Sequence, residues 1–108
     1  MKINSESEWL SQDIFDVFHM FLQGSKLDEE KPFVDFFMQQ NGTELFVRFT
    51  IDFDECTKTF EGFCNIEKFS NVIQEKRYIK RAVKKFLYNN LSDYYGVKLP
   101  WGCLTGIR

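Results

Sequence analysis

Three groups of side chains in this chain have the types and spacing that chemistry could use: a set of thiols, a tight run of carboxylates and a stripe of cations. Cys56, Cys64 and Cys103, taken with His19, would supply the four donors of a tetrahedral zinc site. Zinc sites draw their ligands in close pairs, and no C-x-x-C pair occurs here. An odd number of cysteines also argues against a disulfide framework. The expectation is therefore reduced thiols that pack as small hydrophobes. Asp52, Asp54 and Glu55 (DFDE) offer the hard oxygens that Ca²⁺ or Mg²⁺ prefers, and at a strand end Asp52 and Asp54 share a side. The turn glycine and the further acidic positions of a calcium loop are missing, so these read as solvated strand-end acids. His19 falls in the middle of a helical stretch with no recognisable nucleophile to serve. Neither G-x-G-x-x-G nor G-x-x-x-x-G-K-S/T occurs. Local chemistry thus assigns no catalytic, cofactor-binding or metal-binding residue.

The cations are more suggestive. Lys76, Arg77, Lys80, Arg81, Lys84 and Lys85 fall opposite Ile79, Ala82, Val83, Phe86 and Asn90 on a helix expected over residues 71–94. Such a basic face can neutralise phosphates, and Tyr78 and Tyr88 border it as stacking surfaces. An amphipathic helix must also show water a polar face, and lysine serves that purpose commonly. Charge is divided along the chain: residues 1–70 carry 6 basic and 14 acidic side chains, and residues 71–108 carry 8 and 2. The acidic remainder weakens any long-range pull on nucleic acid, so nucleic acid is not the expected partner.

The elements that would position these groups are legible. Ser5-Glu6-Ser7-Glu8 fits a capping box, followed by a helical stripe of Leu10, Ile14, Val17, Phe18, Phe21 and Leu22, with Gly24 as the stop. That predicts a helix over 6–23, preceded by a short edge strand at Lys2-Ile3-Asn4. Asn41-Gly42 between alternating runs predicts a hairpin with a type I′ turn, in which paired residue numbers sum to 83. Met38, Leu45, Phe36, Val47, Val34 and Phe49 then share one side, and Phe37, Phe46, Phe33, Thr50, Asp35 and Arg48 share the other, with Asp35 opposite Arg48. Residues 56–63 (CTKTFEGF) read as a third strand, Ser70 as the cap of the second helix and Gly96 as its end. The expected architecture is α+β in two layers: a three- or four-stranded antiparallel sheet with helices 6–23 and 71–94 on one face. The opposite face, with Phe33, Phe37 and Phe46, could support a homodimer.

Composition agrees with one folded domain. The chain has 108 residues, 44% of them hydrophobic and 18% aromatic, enough to build a single core. No apolar run approaches the roughly 20 residues that cross a bilayer, so no membrane partner is expected. The start, MKINSESEWLSQ, lacks the features of a secretory signal, which places the chain in the cytoplasm. Residues 97–108 depart from the rest. They are apolar and rich in Gly and Pro, with Trp101, Leu104 and Ile107 unprovided for by any regular element. They read as a truncated linker, whereas residues 1–96 read as the domain.

The segment YIKRAVKKFLYNNLSDYYGVKLPWGCLTGIR carries a resemblance. Through Leu99-Pro100-Trp101-Gly102 and Leu104-Thr105-Gly106-Ile107-Arg108 it is similar to the amino-terminal region of the Gram-positive type of oxygen-independent coproporphyrinogen III oxidase (coproporphyrinogen dehydrogenase), a radical S-adenosylmethionine enzyme. Upstream of it only the order of elements corresponds. The resemblance implies a parent that oxidatively decarboxylates coproporphyrinogen III to protoporphyrinogen IX in haem synthesis. Its 4Fe–4S cluster and S-adenosylmethionine would be held by a C-x3-C-x2-C loop. Cys56, Cys64 and Cys103 do not have that spacing, so the catalytic apparatus is expected beyond Arg108. The chain would be a non-catalytic accessory domain. Its partner would be the catalytic remainder of the same protein, docked through Trp101, Leu104 and Ile107.

Overall fold

A computed structural model describes residues 2–21, 32–53 and 56–96. The element order is β1 (Lys2–Ser5), a 3-10 turn (Glu8–Leu10), α1 (Ser11–Phe21), β2 (Phe33–Asn41), β3 (Glu44–Asp52), β4 (Thr57–Asn65) and α2 (Val72–Tyr95). The strands form one sheet in the order β1-β2-β3-β4. β2, β3 and β4 are an antiparallel meander, and β1 pairs with β2 in parallel. The α+β class and its two layers stand as the sequence indicates, but the sheet is mixed. The reason is the crossover: a parallel pair needs a long connection, and α1 supplies it between β1 and β2.

That edge strand also moves the start of the first helix. Lys2–Ser5 is held extended by its ladder to Phe33–Phe36, and Asn4 Nδ2 donates to Asp35 Oδ1 at 2.7 Å. Ser5 is thus the last residue of a strand rather than a helix cap. Its Oγ accepts from the Ser7 N–H at 2.9 Å, a local turn in place of the expected capping box. Regular α-helix begins only at Ser11. Gly24, the expected stop, and Leu22 lie outside the described residues.

The hairpin register is corrected by two residues. Asn41 pairs with Glu44, and the sums are 85: Phe36 faces Phe49, Met38 faces Val47 and Phe37 faces Arg48. The loop is therefore Gly42-Thr43, with Gly42 at φ +65°. A type I′ turn on Asn41-Gly42 would ask both residues for positive φ. Gly followed by Thr suits a turn that asks this of the first position alone, where glycine adopts it without a Cβ clash. Because the shift is two residues, every side chain keeps its face. The rung of Asp35 with Arg48 is lost: Asp35 faces Thr50, and Arg48 sits between Phe37 and Glu61.

Both helices cover the same face of the sheet. Leu10, Ile14, Val17 and Phe18 pack with Val34, Phe36, Leu45, Val47, Phe49 and Ile51, and with Ile79, Val83, Leu87 and Leu91 of α2. The last four recur every fourth residue, the spacing that keeps one helix face on the core. Asn71, not Ser70, caps α2. Its Oδ1 accepts from the Gln74 N–H, and Gln74 Oε1 accepts from the Ser70 N–H, both at 2.9 Å. Gly96 closes the helix in the left-handed conformation at φ +67°.

Candidate binding face

The helices leave the other face of the sheet open. Alternation places Phe37, Asp35 and Gln39 of β2, Phe46, Arg48 and Thr50 of β3, and Thr59, Glu61 and Phe63 of β4 on it. Three rings run across three strands: Phe37 lies diagonal to Phe46 at 6.1 Å, and Phe46 lies directly opposite Phe63 at 5.2 Å between centroids. The Arg48 guanidinium lies 5.0 Å from the Phe37 ring centre, a cation–π contact that holds both side chains against the sheet. Phe63 is 68% exposed and Phe37 41%. Apolar rings grouped on an open sheet face are the feature that marks a surface meant to be covered.

Beside the rings is an open trough of about 470 Å³, with Asn4, Ser5, Asp35, Phe37, Arg48 and Thr50 among its lining residues. Its floor is the β1–β3 end of the sheet. The trough carries one cation and two carboxylates, since Glu6 joins Asp35 on its wall. That mixed polarity suits hydrogen bonding to a protein surface better than it suits a polyanion.

The six cations of α2 do not act as one stripe. Lys76, Lys80 and Lys84 form a row toward α1: Lys84 Nζ is 3.1 Å and Lys80 Nζ 3.9 Å from the Asp13 carboxylate, and Lys76 lies over the Trp9 ring at 5.4 Å. Arg77, Arg81 and Lys85 form the other row. Among the described residues no carboxylate pairs with it. Arg81 and Lys85 line a smaller cavity of about 190 Å³ with Asn65, Glu67, Tyr78 and Ala82, at the end of β4.

His19 is exposed on α1 and stacks on Phe15 at 5.9 Å. Asp52 is half-buried at the end of β3, whereas Asp54 and Glu55 lie outside the described residues. Cys56 is exposed, with Sγ hydrogen-bonded to Tyr94 Oη at 3.3 Å. Cys64 is half-buried under α2, and burial pushes its thiol pKa up. The two thiols stand at opposite ends of β4, roughly 25 Å apart at about 3.3 Å per residue. They cannot share a metal or an iron–sulfur cluster, and no group of metal-ligating side chains occurs among the described residues. Trp101, Leu104, Ile107 and Cys103 lie outside the described residues.

Phe63 is the functional candidate that sequence reasoning missed. Thr57, Thr59, Glu61 and Phe63 alternate onto the open face once β4 is registered on β3, and nothing local fixes that register. Phe33, expected in the patch, faces Asp52 four rungs from Phe37 and is not part of the ring cluster. No described helix is long and apolar enough to cross a membrane. No family model matches the chain, and no match is found among curated proteins or solved structures.

Proposed function

We propose that this chain is a non-catalytic accessory domain of a cytoplasmic, oxygen-independent coproporphyrinogen III oxidase-like protein, and that its open sheet face docks on the catalytic remainder of that protein. The observation that carries the docking role is the ring cluster Phe37, Phe46 and Phe63 on the face away from both helices. Fully burying an exposed ring contributes about 1.5–3 kcal/mol, and less for Phe37 and Phe46, which the sheet already partly covers, so Phe63 is the main anchor. The parent is supported by residues 99–108, which resemble that enzyme's amino-terminal region. In this reading the 4Fe–4S cluster, S-adenosylmethionine and the oxidative decarboxylation of coproporphyrinogen III belong to the remainder. Cys56, just before β4, and Cys64, near its far end, stand roughly 25 Å apart at about 3.3 Å per residue, too far to ligate one cluster together.

The test begins with the coding sequence past the codon for Arg108, expected to reach a C-x3-C-x2-C loop. In the extended protein, amides of β3 and β4 should exchange more slowly than in the isolated domain, and Phe46→Asp with Phe63→Asp should remove the difference. A stop codon after Arg108 overturns the parent assignment. A stoichiometric cluster on the isolated chain after reconstitution with iron and sulfide overturns the accessory role. Sedimentation of the isolated chain as a dimer that Phe63→Asp dissolves would give the face to a second copy instead.

A further inference from the structure

The division of the α2 cations into two rows has a consequence for ligands. The inner row, Lys76, Lys80 and Lys84, contacts Trp9 and Asp13, with Lys84 largely withdrawn from water. The outer row, Arg77, Arg81 and Lys85, is exposed, and no carboxylate among the described residues forms an ion pair with it. Its members recur every fourth residue, so they stand on one line at about 6 Å per step. That is the order of the phosphate-to-phosphate step in an unstacked nucleic-acid strand. Tyr78 and Ala82 flank the row, partly buried against the core, and with Arg81 and Lys85 line the cavity at the end of β4, which puts part of an aromatic ring next to the cations.

We infer that the outer row binds the phosphodiester backbone of a single-stranded nucleic acid, with a base against Tyr78. Cations in line beside an aromatic platform are what sequence-tolerant single-strand binders combine. Glu67 also lines the cavity, so the backbone runs along the exposed row and only the base approaches the cavity. The acidic first 70 residues keep the long-range attraction small. Binding is therefore expected at low salt and is lost quickly as salt rises. This site uses none of the sheet face, so it stands or falls separately from the docking role.

The experiment is fluorescence anisotropy of the whole chain with a short labelled oligouridylate over a salt series. Three neutralised phosphates predict a slope of about −2 in log Kobs against log salt, at about −0.7 each. Arg77→Gln, Arg81→Gln and Lys85→Gln together should lower affinity by at least about tenfold and flatten the slope. Lys76→Gln with Lys80→Gln should leave both within about twofold. Unchanged urea midpoints would establish that each variant is folded. No binding at low salt, equal losses from the two rows, or competition by polyglutamate as strong as by unlabelled oligouridylate would each overturn the assignment.

Discussion

Lys84 of α2 holds Asp13 of α1 at 3.1 Å, with the two side chains only 18% and 14% exposed. Lys80 approaches the same carboxylate at 3.9 Å from one turn earlier. The contact joins the helices across the layer above the sheet, and it explains why the basic stripe of α2 is not simply a solvated face. A cation that looks available on a helical wheel is spent on packing one helix against the other.

Asp13→Asn should therefore destabilise the domain by roughly 1 kcal/mol, since it removes the charge from a pair largely withdrawn from water. Asp16→Asn, on the exposed side of the same helix, should stay within about 0.5 kcal/mol. Urea unfolding separates the two, with a lower midpoint and an unchanged slope expected for the first. Equal midpoints would mean that the pair contributes nothing.

Gly62 of β4 sits under α2, and a Cβ there would stand 3.1 Å from Cε2 of Phe86. The Phe86 ring is stacked on Phe49 at 6.1 Å, so it can yield a few tenths of an ångström and little more. Gly62→Ala should change stability by no more than about 0.5 kcal/mol, the small clash offset by the lower entropy of the unfolded chain. Gly62→Val should cost about 1–3 kcal/mol by overpacking. Thermal unfolding of the pair would show it, and a valine as stable as the alanine would refute the close approach.

The register of the hairpin can be tested at its turn. Gly42 takes positive φ, whereas Asn41 is the last paired residue of β2. Gly42→Ala should cost about 1 kcal/mol or more, and Asn41→Ala less than about 0.5 kcal/mol. Were the loop Asn41-Gly42, both substitutions would carry the penalty of a left-handed conformation. Midpoints of thermal unfolding for the two variants decide between these registers.

The two described thiols should differ in reactivity. Cys56 is exposed, and Cys64 is half-buried with its pKa raised by desolvation. With Cys103→Ser in place, iodoacetamide should alkylate Cys56 first, and Cys64 should need higher pH or unfolding. A folded pKa above the unfolded one favours the protonated thiol, so the stability that Cys64 contributes is present below the unfolded pKa and falls as pH rises through the folded one. Peptide mapping after timed alkylation checks the order, and equal rates at the two sites would contradict it.

Much of this domain is determined by the sequence alone. The period-two alternation of β2 and β3 assigns each side chain its face whatever the register, which is why Val34, Phe36, Leu45, Val47 and Phe49 are in the core as expected. The periodic apolar face of α2 and the glycine after Tyr95 fix that helix and its end, because period and backbone freedom are local properties. Other features depended on contacts between segments far apart in sequence. The parallel pairing of Lys2–Ser5 with β2, which turns a helix cap into a strand end, needs a partner more than thirty residues away. The placement of Phe63 beside Phe46 needs the register of β4 on β3. The division of six cations into a row that contacts Asp13 and Trp9 and a row with no ion-pair partner among the described residues needs the packing of α1 on α2. A pattern within one element specifies which face is buried, but only the tertiary structure decides what stands opposite, because that depends on distances no local periodicity contains.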